Sequence, residues 1–317
     1  MITMKKLKYF FLIALSMSMF VFSSCSKNDD EEEKAPETPT PEQSNFTTPT
    51  YENVSAKYEI TNSSSQFKSF ELTASGNYII VKNGYSARAS SHFFGEQEEA
   101  TRSTSYGNII YGKFTKKSDT EFELEGFGTI VIKGGANNAC SLIITQTGGS
   151  PITLPAQRST QTESSTFTNQ LCRTWSIGSF RLTIIVDGAT FFDGEYATWD
   201  EMINAYVAKV KEMGEEVSTE EIPDNVNPKQ VVFTKSGTYM VLYSNSTMAV
   251  STWKWEDEAN GKLRYSWNYQ NMYDDYASGV VDVSWRGIQL TIKEGATESD
   301  DDGTSSYSIT YYLNEVK

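Results

Sequence analysis

One histidine, His92, stands in a chain of 317 residues. A multi-histidine zinc site is therefore out of reach, and any serine or cysteine triad would have to run through that single imidazole. His92 lies in a Ser-, Glu- and Thr-rich excursion from about residue 86 to residue 106, where a loop position is the plainer reading. The paired carboxylates come next. Asp274-Asp275 and Asp300-Asp301-Asp302 flank turns, whereas glycoside hydrolysis needs two carboxyls about 5–9 Å apart, one with a raised pKa. Sequence neighbours read as solvated turns, and Asp300-Asp301-Asp302-Gly303 lacks the alternation and distal Glu of a calcium loop. No catalytic residue, metal site or cofactor is expected, and the chain reads as a non-enzyme.

The aromatic side chains offer a different chemistry. All six tryptophans lie in the second half; Trp253 and Trp255 alternate along one stretch, and Leu263, Tyr265, Trp267 and Tyr269 along another. Facing inward, such stripes line a ligand cavity or fill a barrel; facing outward, they stack on sugar rings. Trp253, Trp255, Tyr265, Trp267 and Tyr269 are thus the candidate binding residues for a small amphipathic or glycan ligand. The alternative is that they fill a barrel in a structural or adhesive module that contacts a protein partner.

Cys140 and Cys172 are the thiols outside the N-terminal segment, and they read either as a disulfide or as two buried thiols acting as small apolar side chains. With 27 basic against 41 acidic residues the net charge is −14, which argues against nucleic acid, because phosphate binding needs clustered Lys and Arg.

Positioning these residues requires a scaffold, and the composition indicates which kind. Only 38% of residues are hydrophobic while 13% are aromatic, including 18 Tyr and 17 Phe, a mixture that suits sheets with one wet face. Short alternating runs are punctuated by Gly, Asn and Asp turns, the pattern of a sandwich or barrel. Two blocks recur. Residues 70–81, FELTASGNYIIV, are echoed by residues 231–242, VVFTKSGTYMVL, each reading as two strands joined at a Ser-Gly turn. The run 128–134, GTIVIKG, is echoed by 288–295, IQLTIKEG, and each is followed by another strand, 139–146 and 306–314. Two copies of one β-domain follow from this. One helix is expected in the second copy, since Trp199, Met202, Ile203, Tyr206, Val207, Val210 and Met213 fall at helical spacing, with Thr198 and Glu201 as a capping box and Gly214 as a stop.

At the N-terminus, Lys5, Lys6 and Lys8 precede an apolar stretch from Tyr9 to Phe22 and the small residues Ser23-Ser24 before Cys25, the layout of a secretory signal. Cys25 at this place resembles the lipidated cysteine of a bacterial lipobox, and Lys27-Asn28-Asp29-Asp30-Glu31-Glu32-Glu33 resembles the acidic export signal of Bacteroidetes-type surface lipoproteins. That resemblance implies acylation of Cys25, anchoring to a membrane and a place at the outer membrane or cell surface. The Pro-, Glu- and Thr-rich stretch after it reads as an extended tether.

In the second copy, Thr174-Trp175, the turn Ser236-Gly237-Thr238-Tyr239 and Trp253-Lys254-Trp255 resemble the lipocalin-like domains of bacterial surface lipoproteins, with Arg173 standing where that family has glycine. The resemblance implies antiparallel barrels, many of which bind small ligands, and it does not imply catalysis. The expected chain is all-β, with two tandem antiparallel lipocalin-like β-barrels, the second carrying one inserted α-helix. Its expected segments are a signal peptide (1–24), tether (25–50), first barrel (51–149), linker (150–167) and second barrel (168–317).

Overall fold

The computed structural model describes residue 46 and residues 48–85, 108–214, 227–266, 278–300 and 303–316. Eight strands form the first unit: β1 (Ala56–Ile60), β2 (Phe67–Leu72), β3 (Asn77–Lys82), β4 (Ile109–Lys116), β5 (Glu121–Leu124), β6 (Gly128–Gly134), β7 (Ala139–Gln146) and β8 (Ile152–Arg158). Each runs antiparallel to the next, and β8 pairs with β1 to close a barrel. Inside it lie Phe67, Phe70, Tyr78, Phe114, Phe122 and Phe127 with Ile130, Leu142, Ile144, Leu154 and Ala156 of β6–β8, all buried. Each such aromatic contributes roughly 2–3 kcal/mol of transfer free energy. The stretch 150–167, expected to be a linker, carries β8 instead. Its Pro155 and polar residues hide a strand of which only Leu154 and Ala156 face the core.

The second unit contains α1 (Thr166–Leu171), β9 (Thr174–Val186), β10 (Ala189–Tyr196), α2 (Trp199–Glu212), β11 (Pro228–Phe233), β12 (Thr238–Tyr243), β13 (Met248–Asp257), β14 (Lys262–Ser266), β15 (Ser278–Arg286), β16 (Gln289–Asp300) and β17 (Gly303–Glu315). Its strands form one antiparallel nine-stranded sheet closed by the pairing of β9 with β17. The expected lipocalin-like barrel with a single helix is corrected here in two respects. β9 has thirteen residues, too many for one neighbour: its start pairs with β11, its far half pairs with β10 on the same edge, and β17 takes the other edge. Eight strands therefore close the barrel and β10 flanks it. The second correction is α1, six residues capped by Ser165, whose side chain accepts from the Thr168 amide; one turn and a half is too short to show periodicity.

The expected helix is α2. Thr198 accepts from the Glu201 amide at 3.2 Å, and the Glu201 carboxylate reaches back to the Ala197 amide at 3.0 Å. Met202, Tyr206 and Val210 are its buried face, packed toward Phe192 of β10.

The repeated turn is the same in both barrels. Thr73 accepts through its side chain from the Asn77 amide and Thr234 from the Thr238 amide. Gly76 and Gly237 adopt φ of +81° and +75°, a region that costs any other residue. Counting strands onward from this turn corrects the second echo. β6 corresponds in order to β15, not to β16, so 128–134 and 288–295 are neighbours by pattern and not by position.

The two barrels meet through the strands that flank these turns. Ile79, Val81 and Ile109 of the first pack with Val232, Met240 and Val250 of the second. By the alignment of the turns Ile79 corresponds to Met240, so equivalent surfaces face each other, as in a two-fold interface. Past Thr252–Ser266, the last described pair of β13 with β14, the Tyr85 hydroxyl from the first barrel meets β13: it accepts from the Val250 amide at 2.8 Å and donates to the Val250 carbonyl at 3.2 Å. Lys235 pairs with Glu52, and Gln230 donates to the Tyr111 hydroxyl at 2.9 Å. Burial pushes the Tyr111 hydroxyl up to about 12, which keeps it protonated.

Candidate functional site

The second barrel gathers the described aromatic candidates. Trp253 on β13 is 1% exposed. Its ring meets Phe233 and Trp255 edge-on, at 6.1 and 5.6 Å, and its indole N–H donates to the Thr234 carbonyl at 3.1 Å. Tyr265 on β14 is buried edge-on to Tyr239, centroids 6.3 Å apart. A Cβ at Gly279 would lie 2.7 Å from the Tyr265 hydroxyl, so that glycine makes room for the phenol. Trp267 and Tyr269 lie outside the described residues, as do Cys25, His92, Asp274, Asp275, Asp301 and Asp302.

Trp255 is half-buried and closes the barrel end beside α1. Its indole N–H donates to Thr168 Oγ1 at 2.9 Å, and that hydroxyl donates to Glu258 Oε1 at 3.1 Å. Ser165 also donates to Glu258. Phe167 of α1 wedges between Trp255 and Trp285, at 6.4 and 5.3 Å. Trp253, Trp255 and Tyr265 are thus brought into one barrel, and the first two into direct contact, but as packed rings, with both indole N–H groups already bonded within the chain.

One polar feature of the same interior was missed by the sequence reading. Glu294 on β16 is buried, and the Tyr311 hydroxyl of β17 donates to its Oε1 at 3.2 Å. Burial, then the Glu294 charge, holds the Tyr311 phenol well above its usual range, so it remains a donor. The signal was present in the alternation Leu290, Ile292, Glu294, which places a carboxylate on the apolar face of a strand. An acceptor set among tyrosines in a low-dielectric interior can hold a donor or a cation.

Cys140 and Cys172 are both free thiols, and burial raises both, Cys172 the more. Among the described residues no group of three His, Cys, Asp or Glu is placed to hold a metal ion.

No protein-family model matches the chain, and no curated protein matches it. Among solved structures, a protein of unknown function from the DUF3598 family of Nostoc punctiforme PCC 73102 is similar at 9% identity, over 82% of this chain and 94% of that one, with a TM-score of 0.20. A superposition that loose carries no argument about fold or function.

Proposed function

We propose that this chain is a non-enzymatic envelope module, held to a membrane by a lipid on Cys25 at the outer membrane or cell surface, and that its double barrel acts through its outer faces on a protein partner. The observation that carries this reading is the packing of Trp253. Its ring and its N–H are both satisfied within the chain, so a ligand would have to displace core contacts to use it. The net charge of −14 favours a partner face of opposite sign.

Titration with a fatty acid, a detergent and a set of oligosaccharides, followed by tryptophan fluorescence, tests the lumen directly; no saturable change is expected. Substituting Cys25→Ala is expected to move the protein from the membrane to the soluble fraction, and unchanged acylation would refute the anchor.

A second reading is a small ligand in the second barrel, and Glu294 favours it, because a buried carboxylate among tyrosines suits a ligand that donates hydrogen bonds or carries positive charge. A saturable spectral change in the same titration, lost in Glu294→Gln, would support that reading over the first.

A further inference from the structure

Glu71 lies on β2 with its side chain directed away from its own barrel, since its neighbours Phe70 and Leu72 are the ones that enter the interior. Such a position would ordinarily be wet. Here the second barrel covers it: Glu71 is 3% exposed, and the hydroxyls of Thr234 and Thr238 from the repeated turn lie against its carboxyl. The two hydroxyls are near enough to favour the ionised form, yet no hydrogen bond of ordinary geometry is made by Glu71 Oε1 or by Thr238 Oγ1 among the described residues. The equivalent position in the second barrel is Val232, fully buried in the same interface. An apolar side chain therefore satisfies this slot, and packing does not account for a carboxyl.

The charged groups around it are few. Across the β1–β2 ladder stands Lys57, buried and paired with Glu59 at 2.8 Å, with Lys68 beside them. From the second unit come Cys172, Arg173 and Lys235, the last paired with Glu52. Burial raises the Glu71 carboxyl; Lys57 and the two hydroxyls oppose that rise, and Glu59 adds to it. A carboxyl that holds its proton more tightly in the docked state stabilises that state at low pH. This contribution is lost as pH rises through the docked-state pKa.

We propose that Glu71 makes the joint between the two barrels pH-sensitive: the barrels dock when its carboxyl is protonated, and its ionisation loosens the contact between β2–β4 and β11–β13. The Val250 amide reports on this, because the bond it makes to the Tyr85 hydroxyl crosses the joint.

Amide exchange of the full chain, corrected for intrinsic rates, is to be compared at about pH 5 and about pH 8, where protection of Val250 is expected to fall at least about tenfold. Amides of the β6–β7 ladder, remote from the joint, are expected to hold their protection. Glu71→Gln and Glu71→Val should each keep Val250 protected at both pH values, and Val232 shows that the second substitution fits. Flat protection in the wild type, or an equal fall in both variants, would overturn the proposal.

Discussion

Phe114 and Trp253 hang from the same point of the repeated turn: the Phe114 amide donates to the Gly76 carbonyl at 2.9 Å, and the Trp253 amide to the Gly237 carbonyl at 2.8 Å. Both rings then enter their barrel beside another aromatic, Phe122 for Phe114 and Phe233 for Trp253. Trp253 is therefore the second barrel's version of a scaffold position. The excess of tryptophan in the second half, which suggested binding, is at this site an enlarged filler.

Trp253→Phe should accordingly be tolerated, at about 1–2 kcal/mol for the lost hydrogen bond and the reduced volume. Trp253→Ala should cost roughly 3–5 kcal/mol by leaving a cavity. Urea unfolding followed by far-ultraviolet circular dichroism separates the two, and equal effects would mean that the ring does not fill the core.

Gly237→Ala should cost more than Gly287→Ala. Both glycines have positive φ, +75° and +63°, but a Cβ at Gly237 would meet the Trp253 carbonyl at 3.0 Å, whereas at Gly287 it meets nothing. The conformational part is about 1–2 kcal/mol for each, and the excess at Gly237 measures the contact. Thermal unfolding of the two variants gives the difference.

The stripe on α2 faces the core through Met202, which is fully buried, while Ile203 is only half-buried. Met202→Asp should cost roughly 3–5 kcal/mol by burying an unpaired charge. Ile203→Asp should cost less than half as much, because its carboxylate can turn to water. A reversed order in chemical denaturation would mean that the helix is rotated about its axis.

Arg181 and Thr183 bond the Asp193 carboxylate across the β9–β10 ladder and depress its pKa to about 2. A depressed carboxyl contributes stability above its unfolded value of about 3.9, and this is lost as pH falls through the folded one. The group lies at the surface, so solvent screening keeps the effect small. Carboxyl-carbon NMR should show Asp193 still ionised at about pH 3, where exposed aspartates are mostly protonated.

What could be read in the residues followed how local each signal was. The Thr-x-Ser-Gly turn is built from side chains within five residues, and it therefore identified the matching strands in both copies. The second echo rested on alternation alone, which any strand with one buried face displays, and it was misplaced by one strand. β8 escaped notice because Pro155 and a polar face resemble a linker. Glu71 was illegible for another reason: its burial comes from the other barrel, and no pattern within β2 announces a surface covered by residues more than a hundred positions away. Glu294 was legible, once the parity of β16 was known.

Phe46 precedes the first barrel in the chain but rests on the second, its ring edge-on to Trp175 at 6.0 Å with the Arg173 guanidinium 4.8 Å from its centroid. Arg173 is paired with Glu315 at the end of β17, beside the β9–β17 pairing that closes the sheet. A residue ahead of the first barrel in sequence is therefore packed at the seam that closes the second. Phe46 thus ties the segment ahead of β1 to the second barrel, so the two barrels are joined there as well as through the packing of β3 and β4 on β11–β13.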